Sequence, residues 1–164
     1  MIFRWSALVR PLFLAAASLT FAAPASAEPK LPPQATIPGI DLAQYRGKVV
    51  YLDFWASWCG PCQLSFPFMR DLATRFGDRD LVVVAVNLDH DRSRAQGFLN
   101  KYHPNFPIAY DPAGASARAF HVADMPTSIV IGRDGRVRYL HRGFLPADEQ
   151  TYFTHVSELI NERH

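Results

Sequence analysis

A nearly continuous apolar run, Val49-Val50-Tyr51-Leu52-Asp53-Phe54-Trp55, leads almost directly into Trp58-Cys59-Gly60-Pro61-Cys62 and then into a helical pattern. A run that is apolar on both faces is a strand covered on both sides, the central position of a layered α/β sheet. The two cysteines therefore stand where a buried strand ends and a helix begins. Unpaired backbone N–H groups and the helix dipole stabilise a thiolate there. Two intervening residues let both sulfurs meet across the first turn, and Pro61 gives up no intrahelical hydrogen bond so early in a helix. Cys59, at the rim, is expected to attack a partner disulfide. Cys62, one turn deeper, is expected to resolve the mixed disulfide and release the reduced partner. Half a zinc site and a pair of inert thiols are the rival readings. Zinc needs further ligands at matching spacing, and the chain offers only scattered histidines.

The rest of the folded part alternates strand and helix. Leu64, Phe68, Leu72 and Phe76 recur every four residues and predict a helix with one buried stripe. Leu81 to Leu88 is a second buried strand, followed by a helical stretch from Arg92 to Tyr102 with Phe98 and Leu99 inward. Phe106 to Tyr110 predicts a short strand and Ala113 to Phe120 a short helix. Thr127 to Ile131 and Val137 to Arg142 are β runs joined by Gly132-Arg133-Asp134-Gly135, a hairpin signal. Ala147 to Ile160 closes the chain as an amphipathic helix with Phe153, Val156 and Ile160 on one face. The order β-α-β-α-β-α-β-β-α implies a mixed central sheet with helices on both faces and one core. Residues 28–40, with Pro29, Pro32, Pro33 and Pro38, read as an extended lead to a domain over residues 41–164.

Ahead of that lead the chain has the layout of an export signal. Arg4 and Arg10 precede a 12-residue apolar run, Leu12 to Ala23, then Pro24 and Ala25-Ser26-Ala27. Residues 1–27 are thus expected to be a signal peptide cleaved after Ala27. A membrane-spanning helix needs roughly 17–25 apolar residues, and Arg10 and Pro11 interrupt the longer run from Trp5. An uncleaved anchor is the alternative; thioether lipidation is excluded because no cysteine lies near the cleavage point. The expected compartment is the periplasm, where a lone cysteine pair is redox-engaged by default. Beyond residue 27 the chain carries 15 basic and 15 acidic side chains. That balance excludes an electrostatic nucleic-acid binder. Two cysteines in all exclude a disulfide-stapled scaffold and a four-cysteine zinc module.

The stretch from Asp53 to Cys62 resembles, almost residue by residue, the active site of the thioredoxin superfamily. Within it, the chain is most similar to the TlpA/ResA-like thiol–disulfide reductases of the periplasm. Pro67 matches the proline inside that family's active-site helix, Met125-Pro126-Thr127 its cis-proline loop, and Gly143 its late glycine. The helix and strand between Asp89 and Asp111 look like the TlpA/ResA insertion. The resemblance runs from about Gly39 to the C-terminus. It implies a thioredoxin-like fold, catalytic Cys59, Cys62 and Asp53, and a substrate groove at Trp58, Gly60, Pro61, Met125 and Pro126. It also implies reduction of disulfides in client proteins, possible roles including cytochrome c maturation, and a membrane electron donor of the DsbD/CcdA type. A monomer without cofactor or metal is the implied form. Disulfide oxidation or isomerisation, and client binding without catalysis, are the alternative activities.

Several residues can be weighed without the resemblance. A cis Met125–Pro126 bond costs only about 0.5–1 kcal/mol and would offer Met125 backbone groups to an incoming strand. A trans proline opening a strand fits the residues equally well. Trp58 suits a flat contact surface, Trp55 the core. Asp53, between Leu52 and Phe54, is costly unless protonated or hydrogen-bonded. It is either a proton acceptor and donor for Cys62 or an aspartate satisfied by a nearby hydroxyl or water. Two departures bear on that choice: Ser65 stands where the subgroup often has glutamate, and Ala85 where thioredoxin has a buried lysine. The N-terminal hairpin of the subgroup looks shortened. His121 could border the groove, although a surface histidine is the plainer reading. Asp89, His90 and Asp91 read as a polar turn rather than a metal site.

Overall fold

The computed structural model describes residues 36–162; the leader and most of the lead lie outside the described residues. Strand β1 (Val49–Trp55) is buried at every position. It lies parallel to β2 (Leu81–Asn87), with Asp53 opposite Ala85, and antiparallel to β4 (Thr127–Ile131), with Asp53 opposite Ser128. Strands β3 (Ile108–Tyr110) and β5 (Val137–Arg142) form the edges, giving the order β3-β2-β1-β4-β5. The sheet is mixed, as expected.

Alternation along β1 splits the apolar residues into two cores instead of the single one expected. Val49, Tyr51 and Trp55 pack against helices α1 (Gly60–Asp80), α2 (Arg92–Tyr102) and α4 (Glu149–Asn161). Val50, Leu52 and Phe54 face α3 (Ala115–Ala119) and the N-terminal segment. The strand itself separates the two, because successive side chains point to opposite faces.

The buried stripe of α1 keeps only the middle of the one predicted. Phe68 and Leu72 are buried, together with Cys62, Ser65, Phe66 and Met69, while Leu64 is 46% exposed and Phe76 half-buried. A strict every-four row drifts by about 40° per step around a helix of 3.6 residues per turn, so its first and last members leave the core arc. Gly77, at φ 63°, interrupts the helix before its end. In α4 the buried row is Tyr152, Val156 and Leu159, with Phe153 and Ile160 only half-buried on its flank. Helix α3 starts two residues later than predicted. Gly114 adopts a left-handed turn ahead of it, and Asp111 caps the Ala115 and Ser116 N–H groups at 3.1 and 2.7 Å. Strand β3 starts after Pro107, which has no N–H for a ladder. The tail of the lead is not extended: Pro38-Gly39 turns the chain, Ile37 bridges Ile40, and Ile37 is buried in the second core. Among the described residues no helix is long and apolar enough to cross a membrane.

Candidate active site

Where β1 stops, the chain makes one turn and enters α1 with Cys59 as its N-cap. The Cys62 N–H donates to Cys59 Sγ at 3.2 Å, so one of the free amides of the first helical turn already points at that sulfur. The two cysteines form a disulfide with their Cα atoms 5.3 Å apart. Cys62 is fully buried and Cys59 5% exposed. Pro61 occupies the first helical turn. The next proline, Pro67, sits inside α1, where it lacks the N–H that would bond the carbonyl four residues back.

The turn holding Cys59 is anchored by a residue that the sequence placed in a polar turn without showing what it binds. Asp89, 4% exposed, accepts hydrogen bonds from the Ser57 N–H and hydroxyl, each at 2.9 Å, and from Asn87 Nδ2 at 2.7 Å. This buried carboxylate ties the end of β1 to the end of β2, and Asp91 beside it caps α2. The pattern Asn87-x-Asp89 just past a buried strand was the available signal. Among the described residues no group of three or more His, Cys, Asp and Glu side chains could hold a metal ion.

Facing the disulfide is the Met125–Pro126 bond, which is cis. Gly143, at φ 78°, sends its N–H to the Pro126 carbonyl at 2.8 Å and so braces this loop from the end of β5. A left-handed backbone at that point is where glycine is favoured. Between the loop and the cysteines lies an open groove of about 460 Å³ whose walls include Trp58, Cys59, Gly60, Pro61, Leu88 and Met125. Trp58 is 66% exposed on its rim, while Trp55 is buried between Phe66 and Phe98. Pro126 is buried behind Met125 and does not line the groove; nor does the exposed His121.

Beneath the site, Asp53 is fully buried on the α1 side of the sheet. Ser128 Oγ donates to its Oδ1 at 2.6 Å and accepts from the Tyr51 hydroxyl at 2.9 Å. Oδ2 has no partner. Burial pushes the carboxyl up to about 7, with the Ser128 hydrogen bond opposing. Burial and the nearby Asp53 charge likewise raise the Tyr51 phenol well above its usual value. Ala85 opposite Asp53 brings no cation. Ser65, also buried, donates to the Cys62 carbonyl at 3.1 Å rather than to a sulfur. His141 and His155, scattered in sequence, come together next to this cluster, with Nε2 of one 2.9 Å from Nδ1 of the other.

A mixed five-stranded sheet with a cysteine pair capping the helix after its central strand, opposite a cis-proline loop, defines a thioredoxin-fold thiol–disulfide protein. Residues 23–156 match the Redoxin family, and the chain belongs to it. It is 34% identical over 98 residues to the thiol-disulfide oxidoreductase ResA of Bacillus subtilis (strain 168), covering 60% of this chain and 55% of the relative. The ResA of Bacillus thuringiensis subsp. konkukian (strain 97-27) is 33% identical over 98 residues, again 60% of this chain, and 57% of its own length. The chain thus spans less than two thirds of these relatives. Among solved structures, one described as a thiol:disulfide interchange protein DsbE from Chlorobium tepidum superimposes with a TM-score of 0.77 and 39% identity. That match covers 82% of this chain and 98% of the other.

Proposed function

We propose that the protein is an extracytoplasmic thiol–disulfide oxidoreductase that reduces disulfides in client proteins, with clients of cytochrome c maturation among the candidates. The observation that carries the reading is the Cys59–Cys62 disulfide at the start of α1, one wall of an open groove whose other wall is the Met125 loop. The relatives named as thiol-disulfide oxidoreductases and the export-type leader support it. In the reduced protein the Cys59 thiolate attacks a client disulfide, forms a mixed disulfide and expels the client's first sulfur as a thiolate. Asp53 as carboxylate then takes the Cys62 proton. The Cys62 thiolate attacks Cys59 Sγ, which closes the enzyme disulfide and expels the client's second sulfur. Two electrons pass to the client, whose thiolates take up protons. A membrane donor of the DsbD/CcdA type would then restore the dithiol. Trp58, Gly60, Pro61 and Met125 contact the client, while Pro126 shapes the loop from behind.

Replacing Cys62 by Ser should leave client proteins trapped on Cys59 as mixed disulfides; a binding module without catalysis would trap none. Equilibration with glutathione should place the couple near the value of about −270 mV of thioredoxin, and a value near the about −120 mV of DsbA would mean an oxidase instead. Recovery of a chain beginning at Glu28 from a periplasmic fraction would support the location; a membrane-bound chain beginning at Met1 would refute cleavage.

A further inference from the structure

Resolution by Cys62 leaves Asp53 holding a proton that has to reach water. Toward one side of the sheet the neighbours of Asp53 are apolar: Ala85 on β2 and then Ile108 on β3. Toward the other, Asp53 pairs with Ser128 on β4, and Ser128 pairs with His141 on β5. Side chains of paired residues share a face and stand close enough to interact. The row therefore continues as carboxyl, hydroxyl and imidazole to the sheet edge. There His141 meets His155 of α4 at 2.9 Å, and His155 is half exposed. Both rings are held by stacking, His141 on Tyr152 with centroids 3.8 Å apart and His155 on Tyr139 at 3.9 Å.

Two fully buried polar atoms in this row lack a partner, Asp53 Oδ2 and His141 Nδ1. Buried polar atoms left unbonded by protein are the ones that take up internal water. These two flank the same serine.

We propose that His141 and His155 are the proton exit of Asp53. The proton accepted from Cys62 passes by way of Ser128 or a buried water to Nδ1 of neutral His141. Nε2 of His141 gives its own proton to Nδ1 of His155, which releases one to solvent. One proton enters and one leaves, and no electron moves along the path. When the enzyme disulfide is reduced again, the same path runs inward, returns a proton to Asp53 and restores the starting tautomer. Burial first, then the neighbouring His155, holds the His141 imidazolium down to about 4, with Asp148 opposing. The ring is therefore neutral at working pH, with one nitrogen to accept and one to donate. The other titratable groups around the pair are Tyr152 and Tyr139, which stack on it, and Glu158, which accepts from the Tyr139 hydroxyl at 2.9 Å. The inference rests on the role given to Asp53 above, and its test separates the two.

Resolution of a preformed Cys59 mixed disulfide is followed by stopped flow from pH 6 to 8, in light and heavy water. His141→Phe keeps a ring on Tyr152 and should slow that step about tenfold, less than the roughly 10²–10⁴-fold of a group that touches the reacting atoms, with a larger solvent isotope effect. His155→Ala should slow it too, and added imidazole should restore the rate while thiazole, of like shape but far weaker basicity, should not. Should the Phe variant fail to fold, the half-exposed His155→Ala variant and its rescue decide the question alone. If Asp53→Asn is slow while both histidine variants run at the wild-type rate and isotope effect, the exit is wrong and the Asp53 role stands. If Asp53→Asn is as fast as wild type, the Asp53 role fails and the exit falls with it.

Discussion

Asp53 is held by a single hydrogen bond, from Ser128, in a strand with no exposed position. A carboxyl that ionises at about 3.9 unfolded and about 7 folded binds an extra proton in the native state throughout that interval. Its contribution to stability is therefore complete below pH 4, declines as pH rises, and reaches its full cost above 7, on the order of 4 kcal/mol. Substituting Asn removes the titration. The stability of Asp53→Asn relative to wild type should rise by about 4 kcal/mol between pH 4 and pH 8, read from urea midpoints; a difference independent of pH would show that the carboxyl is not held up by burial. Cys59 supplies a second test at this scale. As N-cap, with the Cys62 amide directed at its sulfur, it should be alkylated before Cys62 and titrate below the free-thiol value of about 8.5. Faster labelling of Cys62 would reverse the assigned roles.

Helices here are placed by the sheet they cover, and their faces differ in energetic weight. Leu72 of α1 is 1% exposed and Leu64 46%. Leu72→Ala should cost about 2–5 kcal/mol, whereas Leu64→Ala should stay within about 0.5 kcal/mol, both measured by denaturant midpoint. In α4 the same contrast separates Leu159, 1% exposed, from the half-buried Ile160. Equal costs within either pair would mean that the helix is rotated from the position described. The every-four pattern of Leu64, Phe68, Leu72 and Phe76 identifies the helix and the middle of its buried arc, Phe68 and Leu72, but its ends leave that arc because such a row winds around the cylinder. Contact with Tyr51, Trp55 and the α4 row buries Phe66 and Met69 beside them.

At the scale of the whole molecule, buried Asp53 and buried His141 oppose each other. His141 ionises at about 4 folded against about 6.5 unfolded, so the unfolded chain binds the extra proton between those values. Its contribution is present above 6.5 and is lost as pH falls toward 4, on the order of 3 kcal/mol. Asp53 has the reverse sign across the same interval. The pair should cancel from about pH 4 to 6.5, leaving wild-type stability insensitive to both groups in that window. Removing either partner uncovers the other. Asp53→Asn should gain about 3 kcal/mol as pH rises through the window, and His141→Phe should lose about as much. Two single variants with parallel pH profiles would refute the opposition.

What the sequence determined by itself is what lies within one turn or one strand of the chain. The buried strand, the cysteine pair at a helix start and the hairpin at Gly132–Gly135 are written in adjacent residues, since periodicity and helix-end chemistry are local. Asp53 stood out because an acid in an apolar strand is costly wherever that strand ends up. What satisfies it did not: Ser128 lies 75 positions away, and only strand register brings it opposite. Asp89 binds the cysteine turn across 32 positions. His141 and His155 are joined by the packing of α4 on an edge strand. Register and helix rotation depend on the burial of every element at once, so the partners of the buried polar groups were decided by the tertiary structure.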